Sequence, residues 1–321
     1  MSIKPISIVL ASLFLFLTVL PLLWAANETN EVLFTTEIQA DATPAVVAKI
    51  RSYPEKAFRK IKFQKGTYHF YPDKAFEAFA FISNHDNVLT RTPFPLHNIS
   101  NLTIDGQGST FIFHGVMIPF LITDSKNIRV ENLSIDWATT FHSEGLIVAV
   151  DEKNKSFDLK ISAEYPYEIR NEQLYFIKEY YEHTIGQSIL YDPKRRAITF
   201  DTESYTPLTT NSRNAVTHGV EQIKYPYAKD FKNQKTLATG TENRLRVIQF
   251  EPGLVRIFNH IKKLPPVGNI LVCKGEQSAN RIAPAFRILH CDTFDAKNVT
   301  VFHAGGMGLI AENSNDLTLD A

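Results

Sequence analysis

Cysteine is nearly absent: Cys273 and Cys291 are the only two in 321 residues. Their spacing fits no zinc or haem pattern, so no metal site is expected, and both thiols are expected as small buried hydrophobes. A fold that does not depend on disulfides suits an oxidising or a reducing compartment. Net charge is missing too, since 34 Lys and Arg offset 34 Asp and Glu. A neutral chain gives no electrostatic reason to expect nucleic acid or an anionic membrane surface as partner. Glycine is sparse, and its densest run, Val301-Phe302-His303-Ala304-Gly305-Gly306-Met307-Gly308, lacks the order and the strand–loop–helix setting of a nucleotide loop. Small residues there suit a tight corner or the close approach of a ligand. What is abundant is apolar: 44% of the chain is hydrophobic and 23 residues are Phe, enough for one large core or two ordinary ones. Such rings fit the stacked interior of a solenoid and equally fit sugar-stacking platforms.

The chain is organised around His97 to Trp137. Short alternating strands are punctuated there by Asn, Gly and Ser-Lys-Asn turns. Asn101-Leu102-Thr103-Ile104-Asp105 recurs as Asn132-Leu133-Ser134-Ile135-Asp136 and again as Asp316-Leu317-Thr318-Leu319-Asp320. A longer ungapped match joins Phe120–Val130 to Leu309–Leu319. Strand-sized repeats a few tens of residues apart, with no hairpin between copies, predict an all-β, right-handed parallel β-helix. Leu102/Ile104, Ile128/Val130, Leu133/Ile135 and Leu317/Leu319 are expected in its core. A β-sandwich, also built from many short strands, is the alternative.

In chain order, residues 1–26 form an export signal: Lys4, then an apolar run from Ile6 to Leu23, then Trp24-Ala25-Ala26. The alternative is an uncleaved anchor; either way the remainder works outside the cytoplasm, periplasmic, secreted or at the cell surface, with no stable membrane insertion once the signal is cleaved. Residues 27–138 are expected as a cap and the first coils. A helix starts at Thr43-Pro44, with Thr43 as cap, and runs to about Arg51; a second short one is placed at Pro54–Arg59. Residues 139–280 read differently. Hairpin signals at Asp151–Lys155 and Asp192–Arg196 are antiparallel devices, so an antiparallel barrel or sandwich is inserted there. The solenoid resumes over residues 281–321 and stops on a strand without a capping helix, which predicts a longer parent protein.

Asp105, Asp136 and Asp320 end similar units, and stacked coils repeat at roughly 4.8 Å. Carboxylates lined up on one edge suit glycoside hydrolysis, which needs an acid and a base or nucleophile. Asp105-Gly106 is also simply a turn dipeptide. Trp137, His142 and Glu144 sit where solenoid gives way to insert, where Trp can stack on a sugar face and His and Glu can bond hydroxyls; a buried junction is the competing reading. His303 and Glu312 flank the glycine run. The substrate-binding candidates are therefore Asp136, Trp137, His142, Glu144, His303, Glu312 and Asp320. The Asn-x-Ser/Thr triplets at Asn98, Asn101, Asn132, Asn154 and Asn298 read as turn or ladder asparagines rather than glycosylation sites.

These residues also carry a resemblance. Lys62–Phe70, Ile104-Asp105-Gly106-Gln107-Gly108 with Phe111–Gly115, Ile135-Asp136-Trp137 with Phe141–Gly145, Phe176–His183 and His303–Gly308 resemble glycoside hydrolase family 110, bacterial exo-acting α-1,3-galactosidases that include enzymes trimming blood-group B antigen. The resemblance spans Lys62 to the end. It implies a β-helix with an inserted β-barrel domain, an inverting mechanism, no metal or other cofactor, and a glycan with terminal α-galactose as partner. It also places the catalytic carboxylates beyond Ala321, so no residue here is assigned a catalytic role and the chain alone is expected to be inactive. A carbohydrate-binding adhesin without catalysis, or a lyase or galacturonidase on the same fold, are the other readings. The sequence carries no signal for a particular oligomeric state.

Overall fold

The computed structural model describes residues 30–53, 59–82, 88–186, 188–207, 245–260, 262–275 and 283–320. The expected export signal, and all but Arg59 of the helix expected at Pro54–Arg59, lie outside the described residues. Among those residues the chain is mostly β-strand with one α-helix, α1 (Thr43–Arg51). No described helix is long and apolar enough to cross a membrane.

The first strands are β1 (Glu31–Phe34), β2 (Lys60–Phe63), β3 (Thr67–Phe70), β4 (Phe76–Ala80), β5 (Val88–Thr92), β6 (Phe94–His97), β7 (Ser100–Phe113), β8 (Phe120–Thr123) and β9 (Lys126–Trp137). The middle of the chain supplies β10 (Ser143–Asp151), β11 (Ser156–Ile161), β12 (Tyr167–Arg170), β13 (Gln173–Lys178), β14 (Tyr181–His183), β15 (Ser188–Asp192), β16 (Ala197–Ile198), β17 (Arg246–Glu251), β18 (Leu254–Phe258) and β19 (Ile270–Cys273). Last come β20 (Phe286–Leu289), β21 (Asp292–Val301), β22 (Leu309–Glu312) and β23 (Asn315–Asp320).

Two parallel sheets run through the first and last groups. One has the order β1-β2-β7-β9-β21-β23, with β3 also on β7; the other has the order β6-β8-β20-β22. The turn between them repeats. Asn98, Asp124, His290 and Asn313 follow the four strands of the second sheet, and all have φ near +50°. Three residues later Asn101, Asn127, Thr293 and Asp316 are left-handed as well. Asn and Asp tolerate this backbone because their short polar side chains bond locally. Here they also bond up the stack: Asn127 Nδ2 donates to Asn101 Oδ1 at 2.8 Å, and Asn298 Nδ2 to Asn132 Oδ1 at 3.1 Å. The triplet asparagines at these corners are thus turn and ladder residues.

Between the sheets the core is a pile of rings. Phe94 stacks on Phe120 at 4.4 Å and Phe120 on Phe286 at 4.9 Å, while Phe111 contacts Phe63, Tyr68, Phe70 and Phe94. Ile104, Val130 and Ile135 are wholly buried in it, with Leu102, Ile128 and Leu133 nearly so. Leu317 and Leu319 are not: they are 38% and 64% exposed, because no described strand pairs with the far side of β23. Helix α1 covers the other end with Val46 and Ile50. Its N-cap is Ala42 rather than Thr43, whose Oγ1 instead accepts the Tyr71 N–H at 2.7 Å.

Register corrects the carboxylate ladder expected from the repeats. Asp105 lies level with Glu131, then Lys297, then Asp320, whereas Asp136 lies level with Ile112. The two Asn-Leu-x-Ile-Asp units do not stack on each other, because they lie in different halves of the paired strands: Leu133 and Ile135 are level with Ser109 and Phe111, beyond the irregularity between Asp105 and Ser109. Leu102 is level with Ile128 instead. Gly106 sits in this bulge, where an added Cβ would stand 2.5 Å from Leu133 Cβ.

The middle strands are antiparallel. Seven form a sheet of order β16-β15-β19-β10-β11-β18-β17, and β12-β13-β14 form a three-stranded meander. Both hairpins read from the sequence are present, β10–β11 and β15–β16. Among the described residues no pairing of β16 with β17 closes the sheet. A separate core of Ile147, Phe157, Leu159, Phe176, Leu190 and Leu271, among others, packs against it. Cys273 is buried in this core and Cys291 in the ring-filled one, both as free thiols.

Candidate functional site

Asp136 is the penultimate residue of β9, and its Oδ1 accepts two hydrogen bonds. One comes from the Trp137 backbone N–H at 2.8 Å, the other from His303 Nδ1 at 2.8 Å. A carboxylate only accepts, so the bond fixes the Nδ1–H form of neutral His303 and leaves Nε2 as an acceptor. The His303 backbone is left-handed, φ +49°, and its side chain is about half exposed beside the exposed Phe302. The dyad bridges the ends of the paired strands β9 and β21, separated in sequence by the whole antiparallel segment.

Trp137, by contrast, is 4% exposed. Its ring meets Phe113 at 5.8 Å and Phe141 edge-on at 5.6 Å, and Phe141 stacks on Tyr181. It therefore offers no open face for a sugar; alternation along β9 points it inward with Leu133 and Ile135. Its Nε1 and the Tyr181 hydroxyl are buried with no hydrogen-bond partner among the described residues. Burial pushes the Tyr181 phenol well above its ordinary range.

Five residues after Trp137, His142 Nε2 and Glu144 Oε1 are 3.2 Å apart, each side chain about one-third exposed. Lys178, on β13, donates to the His142 carbonyl at 2.7 Å and lies over the Tyr165 ring. Burial lowers its ammonium to about 8, partly opposed by the neighbouring Cys273. Behind them Ser143 Oγ donates to His183 Nε2, because His183 Nδ1–H is committed to the Thr184 carbonyl. Sequence reasoning missed Lys178, Tyr165 and Tyr181, which lie over thirty residues apart from their partners or carry no motif.

The other candidates lie elsewhere. Glu312, on β22, bonds Arg287 Nη2 at 2.5 Å. Arg287 is 1% exposed and also donates to the carbonyls of Phe81 and Ile288. Glu312 therefore neutralises a buried cation under the β4–β5 hairpin and is not free for a ligand. Asp320 is exposed and borders an apolar hollow of about 310 Å³ lined by Phe286, Val299, Val301, Leu309 and Leu319. Asp105 is structural as well. Burial alone raises its pKa, but bonds from Asn132, Lys60 and the Gln107 N–H outweigh that and hold it below the usual carboxylate range. Among the described residues no three His, Cys, Asp or Glu side chains are grouped to hold a metal ion.

With this geometry in view, the comparisons with known proteins fall on the same elements. The family model of GLAA-B β-barrel domain I matches residues 143–271, the segment from β10 to β19. Alpha-1,3-galactosidase A of Shewanella woodyi is 30% identical over 285 residues, covering 87% of this chain and 40% of the relative. The chain resembles the N-terminal part of a glycoside hydrolase family 110 enzyme. Alpha-1,3-galactosidase B of Parabacteroides distasonis matches with the same identity and coverage. Alpha-1,3-galactosidase B of Akkermansia muciniphila is 31% identical over 156 residues, 48% of this chain and 20% of the relative. The chain thus spans about two fifths of the length of the first two relatives.

Proposed function

We infer that this chain belongs to an exported, inverting glycoside hydrolase that removes terminal α-1,3-linked galactose from glycans. The observation that carries the reading is the match to proteins named α-1,3-galactosidase along 87% of the chain, through both the parallel coils and the antiparallel segment. The parallel sheets with repeated left-handed corners support a right-handed parallel β-helix, formed by residues 27–138 and 281–321 and interrupted by a barrel-like insert at 139–280.

On this reading the glycan contacts are Asp136–His303 and His142–Glu144. Each is a carboxylate-oriented, partly exposed imidazole: His142 lies on the short connection from β9 to β10, and His303 on the connection from β21 to β22. An imidazole held in one tautomer presents a defined acceptor to a sugar hydroxyl, and becomes a donor when protonated. Trp137 and Phe141 form the rigid floor beneath them. Glu312 holds Arg287, and the catalytic carboxylates are not assigned to residues described here.

The test is a panel of galactosyl disaccharides given to the complete gene product, with free galactose as the readout. Release from the α-1,3-linked substrate and not from α-1,4 or α-1,6 isomers supports the proposal. Binding of all three without release would replace it with a glycan-binding role.

A further inference from the structure

Away from those pairs, three side chains form a closed hydrogen-bonded array between a coil end and the β13–β14 turn. Glu179 Oε1 and Oε2 lie 2.7 and 2.8 Å from His114 Nδ1, and His114 Nε2 lies 2.9 Å from His69 Nδ1. His114 follows β7 directly, is 7% exposed, and stacks on Tyr71 with centroids 4.0 Å apart and planes 15° from parallel. Next to it Gly115 fits against the turn: an added Cβ would stand 3.0 Å from Tyr180 Cδ2 and 3.3 Å from the Glu179 carbonyl. The turn is tight, because Lys178 pairs with Tyr181 and Tyr180 is left-handed at φ +65°.

Donor and acceptor counting fixes the protons. Glu179 only accepts, so His114 carries its proton on Nδ1 and accepts through Nε2, and His69 donates from Nδ1. One added proton fits at His69 Nε2, or on His114 with His69 turned acceptor at Nδ1, without moving a heavy atom. A second places two N–H groups head to head at 2.9 Å. We propose that Glu179–His114–His69 is a proton-sensitive clip that positions the β13–β14 hairpin, and through it Lys178 against the His142 carbonyl. His114 is a positioning residue in this scheme. The link to glycan binding rests on the function proposed above; the clip itself does not.

Tyr71 after β3 stacks on both rings, and Asp73, Tyr71 and Asp41 act on Tyr180 in the adjoining turn, with Lys74 paired to Asp41. Burial first, and then the neighbouring His114, hold His69 below its ordinary value, with Glu179 partly opposing. The folded form therefore favours neutral His69. The first proton keeps the hydrogen bonds but places a cation on a partly buried ring, and a second breaks the His69–His114 contact, so the clip is fully formed above the ordinary histidine range and is progressively disfavoured as pH falls below about 6.5.

Hydrogen exchange of the complete protein, corrected for intrinsic rates and followed in peptides covering Tyr175–His183, tests this without any substrate. Wild type should open about tenfold more at pH 5 than at pH 7, the scale of one charge-assisted bond. His69→Gln, which keeps a donor but does not titrate, should lose that pH response. His114→Gln should open the segment at both pH values, while β10–β11 peptides stay protected as the folding control. A wild-type segment that exchanges alike at both pH values, or a His69→Gln protein with the wild-type response, overturns the proposal. If either variant misfolds, imidazole ¹⁵N shifts of wild type decide instead: two protons taken up with no opening would also overturn it.

Discussion

Glu312→Ala separates a structural role for this carboxylate from a ligand-binding one. Arg287 is 1% exposed, and its guanidinium is satisfied by the Phe81 and Ile288 carbonyls and the Glu312 carboxylate. Burial already pushes its pKa below the usual guanidinium value. Removing one partner of a buried pair typically costs about 3–5 kcal/mol, because the other charge stays buried. Glu312 is partly exposed, and two carbonyls remain on Arg287, so the expected loss is about 2–3 kcal/mol. In a chain of this size that is a fall in Tm on the order of 4–10 °C. The paired change Arg287→Met with Glu312→Leu removes both charges and should recover most of it, since apolar replacement of a buried pair is often neutral or stabilising. Thermal and urea unfolding of Glu312→Ala, the single changes Arg287→Met and Glu312→Leu, the paired variant and wild type give both this loss and a double-mutant cycle. A Glu312→Ala loss under about 0.5 kcal/mol, the range of an ordinary surface change, would refute the reasoning and return Glu312 to the candidate ligands.

Other expectations follow from the same structure. Phe111→Ala removes a wholly buried ring in contact with four others and should cost about 3–5 kcal/mol in urea unfolding. Asn132 is left-handed and bonds Asp105, so Asn132→Ala should be about 1 kcal/mol worse than Asn132→Gly; equal losses would count against the corner columns. Lys178 is held near 8 by burial, so the unfolded chain binds the extra proton and stability should rise with pH between about 8 and 10.5. The difference between wild type and Lys178→Met over that window should be on the order of 1–2 kcal/mol after allowing for partial exposure, and a flat difference curve would contradict it. Gly106→Ala should destabilise through the contact with Leu133 and Asn132.

Much of the fold was legible because the parallel strands repeat the same left-handed turns, and those turns leave Asn and Asp in the sequence. The Phe120–Val130 match to Leu309–Leu319 reproduces the observed register two strands apart, where β20 pairs with both β8 and β22, and β21 with both β9 and β23. The shorter Asn-Leu-x-Ile-Asp repeat misled, since its copies fall on different halves of β7 and β9, where Leu102 is level with Ile128 and Leu133 with Ser109. The site was legible only in parts. His142–Glu144 is a two-residue spacing at the start of β10, visible in the sequence, whereas Asp136–His303 spans the whole insert and needs the stacking of β9 on β21. Trp137 looked like a sugar platform because sequence shows ring identity and not what covers it. Arg287 and the His69–His114–Glu179 array carry no spacing signal; each joins neighbours in one parallel sheet, Glu312 or His69, to a residue from another part of the chain, Phe81 or Glu179.

The central claim is that these elements serve an inverting α-1,3-galactosidase, and the most direct measurement is ¹H NMR of the first galactose released. The complete gene product is mixed with an α-1,3-linked digalactoside, and the anomeric region is followed before mutarotation. The account predicts β-galactose first, with the α form growing in later. Release of α-galactose first, an unsaturated product, or no galactose from any α-1,3-linked substrate would contradict it.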